Sequence, residues 1–313
     1  MERFLNPRND WIFKRVFGTE QNKDILIGFL NAVFEGVHEP IEDVEFLPSH
    51  QNPEIAVLRQ SIVDVKCTDI KNRKFIVEMQ CYRDPDFIKR ACLYASRAYF
   101  DQLTTTSDSR KEGAPQGKED GRKLKEFNYS KIKPVIFLAI LYDFTLIPDE
   151  DGYISHNKIF DTKTHKQHIK EFSYSFLELD KFQKSFEESK TLLEKWCYFF
   201  KNAEWTLPDE VEEMKKHCPV VGKAYDALER YSYTPEEYEA YLLYDMGVAA
   251  HEAGIRCARE EGVAEGLEKG VREGVKKVAI SMLRKGLTVE TVSDYTGLSI
   301  EQINALKHKS IKT

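Results

Sequence analysis

Two acidic residues, Asp64 and Glu78, are spaced so that a short hairpin would bring them together. They lie in two strand-like segments, residues 61–68 and 74–81, which a short polar turn joins. If the turn is centred on Lys71, Asp64 lies opposite Glu78, and opposed Cβ atoms are about 4.5–5.5 Å apart. Two carboxylates at that distance repel each other, and a divalent cation between them relieves the repulsion. The spacing therefore predicts a Mg²⁺ site, which Mn²⁺ could also occupy.

The alternation of side chains along these two segments predicts one apolar and one polar face. The apolar face would hold Val63, Val65, Cys67, Phe75, Val77 and Met79. The polar face would hold the two acids together with Lys66 and Gln80. An amphipathic hairpin with a solvated charged face has the same pattern, so the hairpin alone leaves both interpretations open.

The segments around the hairpin alternate between helical and strand patterns. Residues 10–35 have the apolar spacing of two helices, and residues 43–47 are a short strand candidate. Residues 132–142 form a nearly continuous apolar run, which favours a buried strand, and 172–179 are a further strand candidate. This order indicates an α/β core, followed by a helical second half from about Lys181.

A helix is predicted directly after the hairpin. Asp84 is a suitable N-cap, followed by a proline, and the helix would run to about Leu103. Its core face is predicted to hold Ile88, Ala91, Ala95 and Ala98. Another face carries Arg90, Tyr94 and Arg97 at i, i+4, i+7 spacing. The two arginines are therefore candidates for holding backbone phosphates, although solvated arginines would have the same spacing.

Several segments together resemble the Rpn family, the recombination-promoting nucleases of the PD-(D/E)XK superfamily. The matching pieces are 10–14 (DWIFK), 17–18 (FG), 27–31 (IGFLN), 64–67 (DVKC), 77–80 (VEMQ), 90–94 (RACLY), 99–102 (YFDQ), 133–135 (KPV) and 177–182 (LELDKF). The resemblance spans roughly residues 5–182 and, more loosely, the glycine-striped tail. It implies an α/β fold with a restriction-endonuclease-like αβββαβ core and a helical C-terminal half.

The resemblance also implies roles for the hairpin residues. Asp64 and Glu78 would be metal ligands, with the Met79 backbone carbonyl as a third ligand. Gln80 stands where the parent motif has a lysine. Glutamine can position water or substrate but carries no charge, so we expect Lys66 to supply the missing cation. A bound divalent ion would activate water for in-line attack on phosphorus.

The remaining site candidates depend on the family resemblance. Lys14 and Gln102 are expected to contact DNA, although Gln102 could equally have a structural role. Asp10 and Lys14 are one helical turn apart and would form at least an ion pair. Tyr94 joins Asp10 as a less specific site residue.

Three regions are expected along the chain. A nuclease-like domain covers 1–182, with a mobile insertion at about 104–125, and a helical region covers 183–252. Residues 253–313 hold a glycine-striped helix and a small unit similar to a helix-turn-helix, which could face DNA or serve assembly. A glycine in a helix costs about 1 kcal/mol relative to alanine. A close-packed second copy would explain the stripe, and a weakly helical linker is the alternative.

Composition limits the functional classes. The net charge is −6, so any nucleic-acid contact must come from local basic surface. None of the six cysteines forms a C-x-x-C pair, which argues against a zinc cluster. The first residues lack a signal-peptide core, and no apolar run approaches the ~20 residues of a membrane span. We therefore expect a cytoplasmic protein without membrane partners.

The sequence thus predicts a Mg²⁺-dependent endodeoxyribonuclease that hydrolyses phosphodiester bonds and promotes recombination or transposition. One alternative is a catalytically degenerate DNA-binding or assembly protein on a nuclease scaffold, which the glutamine at position 80 favours. A second alternative is an RNA-directed or toxin-like nuclease with the same chemistry.

Overall fold

A computed structural model describes residues 3–47, 63–105, 129–148 and 151–310. The helices and strands are, in chain order, α1 (Asp10–Phe17), α2 (Lys23–Val33), β1 (Val44–Phe46), β2 (Val65–Asp69), β3 (Lys74–Gln80), α3 (Phe87–Thr105), β4 (Val135–Leu141), β5 (Ile154–Lys158), β6 (Phe172–Glu178), α4 (Leu192–Asn202), α5 (Pro208–His217), α6 (Pro219–Leu228), α7 (Pro235–Arg284), α8 (Val289–Thr296) and α9 (Ile300–Ser310). The predicted α/β class and helical C-terminal half are confirmed, and the fold is consistent with a restriction-endonuclease-like core.

The strands form one six-stranded mixed sheet in the order β1-β2-β3-β4-β6-β5. β1, β2 and β3 are antiparallel neighbours, whereas β3 pairs with β4, and β4 with β6, in parallel. A parallel connection needs a crossover, and α3 supplies it between β3 and β4. Every residue of β4 is buried, as expected for a central strand covered on both faces.

The register between β2 and β3 is the predicted one. Val65 lies opposite Val77, and Lys66 lies opposite Ile76. The same register, extended by one residue, sets Asp64 beside Glu78. The predicted position of Val63 on the Val65 face is wrong, since Val63 packs with Ile76 in the other core. The chain bends at Asp64 and β2 begins only at Val65, so strict alternation does not extend back to Val63.

Two hydrophobic cores hold the sheet in place. The larger one packs one sheet face against α1, α2, α4 and α6, and its centre is a cluster of aromatic rings. These rings include Phe13, Phe17, Phe29, Trp196 and Phe200. The smaller core lies under α3, where three alanines allow the helix close to the sheet. α3 is thereby fixed above β3 and β4.

Three details of the α3 region and the sheet differ from the predictions. Ile88 is 52% exposed rather than buried, because the helix begins at Phe87 and that ring takes the core position. β5 was not predicted, because its sequence is largely polar and it lies at the sheet edge. Of the expected insertion, residues 106–125 lie outside the described residues, whereas 104 and 105 belong to α3.

The chain divides into two compact units, Met1–Leu242 and Leu243–Thr313. In the second unit, Ala279, Val292 and Ile303 form a small core under α8 and α9. Gly297 ends α8 with a φ of 68°, a conformation that favours glycine. A capping box precedes α9, since Gln302 Oε1 accepts from the Ser299 N–H and Ser299 Oγ accepts from the Gln302 N–H. The expected division into three regions remains a prediction.

The long helix α7 is exposed on all sides over residues 253–274. At Gly262, Gly266, Gly270 and Gly274, a Cβ would meet no atom of the described chain within 4 Å apart from the adjoining residues and backbone of the same helix. The glycine stripe thus has no packing partner within the described part of this chain. Among the described helices, none combines the length and apolar character that a membrane span requires.

Candidate active site

The candidate site forms where α1 meets the start of β2 and the end of β3. Asn9 caps α1 by accepting hydrogen bonds from the backbone N–H groups of Trp11 and Ile12, which fixes where the helix begins. Asp10 and Lys14 then lie one turn apart, and the Lys14 amine is 2.7 Å from Asp10 Oδ2. The predicted ion pair is therefore present, and it has a third member. Lys14 Nζ is also 3.2 Å from Asp64 Oδ1.

Asp64 joins the hairpin to α1. Its Oδ2 accepts a hydrogen bond of 2.8 Å from the Met79 N–H, which ties the bend before β2 to the end of β3. Burial raises the pKa of Asp64 to about 7, and a hydrogen bond and the negative charge from Asp10 act in the same direction. The Lys14 charge and the Met79 N–H oppose this rise. The pKa of Asp64 therefore lies close to neutral pH.

Glu78 lies next to Asp64 and is only 7% exposed. Its Oε1 is buried and has no hydrogen-bond partner in the described part of the chain. Burial raises the pKa of Glu78 well above its ordinary value, and the charge of Asp64 raises it further. Arg90 and Lys14 lower this pKa, but they do not cancel the rise. An unpartnered buried carboxylate oxygen is costly unless a ligand or cation satisfies it.

Gln80 and Arg90 lie near Glu78 and contact each other. Arg90 Nη2 donates a hydrogen bond of 2.6 Å to Gln80 Oε1, and Gln80 Nε2 donates one of 2.7 Å to the Tyr82 carbonyl. Arg90 Nη1 is also 3.1 Å from Asp84 Oδ2. Both polar atoms of the Gln80 side-chain amide therefore form hydrogen bonds with protein groups. The guanidinium is held close enough to act on the Glu78 charge.

The other predicted residues gather at a second place, near the end of α3. Lys66 is 9% exposed, and its amine is 3.8 Å from Asp101 Oδ2. Arg97 Nε donates to Asp101 Oδ1 at 2.8 Å. Gln102 accepts from the Lys133 N–H and donates to the Lys133 carbonyl, as its structural interpretation predicts. Tyr94 is half-buried against the core under α3. The structure thus separates Lys66, Arg97 and Gln102 from Asp64 and Glu78.

Two acidic residues, one at each of these two sites, make contacts that the sequence analysis did not predict. Asp84 was predicted only as a helix cap, whereas it pairs with Arg90. Asp101 was not predicted, and it pairs with Arg97 and Lys66. The available signal was the i,i+4 spacing of Arg97 and Asp101 on a helix.

The donor groups suit a cation that brings most of its own ligands. In the described ranges, no group of three or more His, Cys, Asp or Glu side chains is arranged to hold a metal ion by itself. Mg²⁺ commonly uses one or two carboxylates, with waters and substrate phosphates completing its shell. Asp64 and Glu78 fit that pattern, because a cation would satisfy the unpartnered Glu78 oxygen and relieve both raised pKa values.

Comparison with known proteins gives one match. Neither the curated proteins nor the solved structures contain a significant relative of this chain. A family model described as "PD-(D/E)XK nuclease family transposase" matches residues 7–246, which includes the whole sheet and every candidate site residue above. With more than half of its length matched, and with a restriction-endonuclease-like α/β fold, the chain belongs to the PD-(D/E)XK nuclease family transposases.

Proposed function

We propose that this protein is a divalent-metal-dependent endonuclease that cleaves DNA and so promotes recombination or transposition. The supporting observation is the buried pair Asp64 and Glu78, in which one Glu78 oxygen has no hydrogen-bond partner among the described residues. Family membership supports a nuclease of this superfamily. The choice of Mg²⁺, with Mn²⁺ as a substitute, rests on the all-oxygen donors.

Asp64 and Glu78 would hold the ion, and the Met79 backbone carbonyl would be a third ligand. When bound, the ion supplies an activated water and neutralises charge on the phosphoryl oxygens. The Met79 N–H keeps Asp64 oriented towards β3, so both carboxylates stay on one side of the site. Asp10 and Lys14 complete this side. The Lys14 amine, already 3.2 Å from Asp64, adds positive charge where a DNA phosphate would approach.

Arg90 would supply the positive charge of the motif lysine, which this chain replaces with Gln80. Its guanidinium is always charged, and it can donate to two phosphate oxygens in a fixed geometry. Gln80 and Asp84 hold it beside Glu78. Because arginine does not release its proton, this group would stabilise charge in the transition state rather than act as a base. Gln80 is then a positioning residue, and Lys66, which lies with Asp101, is not needed as the cation of the site.

Plasmid cleavage tests the proposal. Supercoiled DNA is incubated with the full chain in Mg²⁺, in Mn²⁺ and in EDTA, alongside Asp64→Asn, Glu78→Gln and the matched control Asp43→Asn. Asp43 is an exposed carboxylate outside the site. We expect metal-dependent nicking by the wild type and the control, and a loss of at least about 100-fold in the two site variants. Wild-type rates in both site variants would refute the assignment.

The same assay addresses the two alternatives. The missing motif lysine is the observation that favours a degenerate scaffold. DNA binding without cleavage by any form, in either metal, would support that alternative. A parallel reaction with single-stranded RNA addresses the RNA-directed alternative. Faster cleavage of RNA than of DNA would reassign the substrate.

We also infer that a second copy of the chain packs on the exposed glycine stripe of α7. Residues 260–268 carry four glutamates and no basic residue, whereas 269–277 carry four basic residues and one glutamate. An antiparallel pair of these segments places acidic halves against basic halves, and a parallel pair does not. Exposed Val263, Leu267 and Val271 would be covered in such a pair.

A further inference from the structure

A cavity of about 450 Å³ lies near the end of α3, where β3 begins. Lysines dominate its polar lining. The lining includes Lys66, Lys74, Lys131, Lys133, Asp101 and Gln102. Of the ten lining residues in the described part of the chain, four are lysines and one, Asp101, is acidic. An excess of positive charge therefore faces one cavity that is open to solvent.

The single acid is already shared. Asp101 Oδ1 accepts a hydrogen bond from Arg97 at 2.8 Å, and its Oδ2 lies 3.8 Å from the Lys66 amine. A separation of 3.8 Å is an ion pair but is too long for a hydrogen bond. Lys74 donates a hydrogen bond to the neutral hydroxyl of Thr68. The charges of Glu45 and Asp69 also act on Lys74, but neither acid lines the cavity, and Asp69 is paired with Arg73. Among the described lining residues, four lysines therefore face one carboxylate.

Lys66 is the buried lysine of this lining. Its side chain is 9% exposed, and the positive charges of Lys74 and Arg97 lie close enough to act on it. Among the described residues, Asp101 is the acidic side chain that pairs with its ammonium, at 3.8 Å. An anion in the cavity would bring hydrogen-bond acceptors to the ammonium and offset the mutual repulsion of the lysines.

We propose that this cavity binds backbone phosphates of the nucleic-acid strand, as a subsite separate from Asp64 and Glu78. Two elements link the places. Lys66 follows Asp64 by two residues, a distance of about 7 Å along an extended chain. α3 carries Arg90 at the candidate active site and Asp101 at the cavity, about 17 Å apart along the helix axis. A nucleic-acid strand lying along α3 would contact both the candidate active site and the cavity.

This subsite rests on the proposed function, because it takes its ligand from the nuclease substrate. Phosphate contacts of this kind position a strand without reading its sequence. Phosphate groups could also come from a free polyphosphate. A nucleic-acid strand is favoured as the source of the phosphates, because β2 and α3 run from the candidate active site to the cavity.

Binding without catalysis tests the subsite. A fluorescent DNA oligonucleotide is titrated with the full chain in EDTA at several salt concentrations, and anisotropy is measured. The variants are Lys66→Gln/Lys131→Gln and the control Lys163→Gln, which removes the same charge in the segment between β5 and β6, at the other edge of the sheet. We expect the double variant to bind about tenfold more weakly and its log–log salt slope to fall by about one to two. We expect the control to match the wild type. Equal binding by all three proteins would overturn the proposal.

Two further measurements keep the outcome clear. If Lys66→Gln melts below the wild type by more than a few degrees, the double variant Lys131→Gln/Lys133→Gln is used in place of Lys66→Gln/Lys131→Gln. Unchanged DNA binding by that variant would also overturn the subsite. Pyrophosphate serves as the free-anion probe. Competition between pyrophosphate and the oligonucleotide supports a strand subsite, whereas pyrophosphate binding that the oligonucleotide does not displace overturns it.

Failure of the subsite and failure of the nuclease proposal give different results. If no form cleaves DNA but the lysine variants lose binding, the subsite stands without the nuclease activity. If cleavage depends on Asp64 and Glu78 while the KM of Lys66→Gln/Lys131→Gln is unchanged, the nuclease stands and the subsite falls. The expected result is a raised KM with a nearly unchanged kcat.

Discussion

The Arg90 guanidinium donates a 2.6 Å hydrogen bond to the side-chain carbonyl of Gln80, the residue that stands in the lysine position of the motif. A cation from α3 is thereby held at the end of β3, beside Glu78. In the proposed function, the positive charge of the motif would come from a different element. The Gln80 amide holds that charge in place, because its nitrogen is itself fixed by a hydrogen bond to the Tyr82 carbonyl.

Removing this guanidinium should slow cleavage strongly. We expect Arg90→Gln to lower kcat by about 100-fold with a small change in KM, because a charge aimed at the transition state is lost. The double variant Gln80→Lys/Arg90→Gln should recover part of the rate, since a lysine on β3 then supplies the charge. Plasmid-nicking rates measure both effects. A double variant no faster than Arg90→Gln would contradict the idea that Arg90 substitutes for the motif lysine.

The metal-free protein should lose stability as the pH rises from about 4 to about 7. The pKa of Asp64 is raised from 3.8 to about 7, so in this window the folded state keeps a proton that the unfolded chain has released. The stabilising contribution is complete below the unfolded value and is lost as pH passes the folded one. Chemical denaturation in EDTA should show a decrease of about 1–3 kcal/mol across this window.

Asp64→Asn provides the matched comparison, since its amide oxygen can still accept from the Met79 N–H. Its stability should vary less over the same pH range. Addition of Mg²⁺ at pH 8 should stabilise the wild type and not the variant. Identical pH profiles of the two proteins would show that Asp64 does not carry the effect.

Lys14 should oppose metal binding while assisting catalysis. Its ammonium lies between Asp10 and Asp64, and it would repel a divalent cation at the same carboxylate. We expect Lys14→Met to bind Mn²⁺ several-fold more tightly in calorimetry, yet to cleave DNA more slowly. Lys23→Met, which removes a lysine paired with Glu20 and Asp43, is the control and should change neither quantity. Weaker Mn²⁺ binding by Lys14→Met would contradict this account.

A larger side chain in the glycine stripe should break the proposed pairing of α7. We expect Gly266→Leu and Gly270→Leu to shift the chain from dimer to monomer in sedimentation at micromolar concentration, because leucine prevents close approach of two helices. Helix content should not fall, since leucine is the better helix former. Gly254→Leu, an equally open position outside 260–277, should stay dimeric. A wild-type protein that is monomeric at this concentration would contradict the proposed pairing of two copies through α7.

Charge reversal tests whether these charges hold the same pair together. A variant with Glu265 and Glu268 changed to lysine should form mixed dimers with one in which Lys269 and Arg272 are changed to glutamate, and each alone should associate more weakly than the wild type. Self-association of each separate variant as strong as that of the wild type would show that these charges do not stabilise the pair. Raising the salt concentration should reduce the preference for mixed dimers.

The hairpin was accessible to prediction because its contacts are short in sequence and set by simple rules. The period of two residues and the position of the turn fixed the β2–β3 register, and the observed pairing of Val65 with Val77 follows it. Val63 escaped the prediction because a bend at Asp64 interrupts the period. β5 escaped it because a polar edge strand depends on its neighbour β6 rather than on its own apolar pattern.

The sequence by itself determined that two acids face each other across neighbouring strands, because local chain geometry brings them together. Only the tertiary structure decided which groups surround them. Lys14 reaches Asp64, Arg90 reaches Gln80, and Lys66 turns to Asp101, through the packing of α1 and α3 on the sheet. Burial also raises the pKa of Asp64 and Glu78, and burial is a property of the assembled fold that no spacing of residues contains.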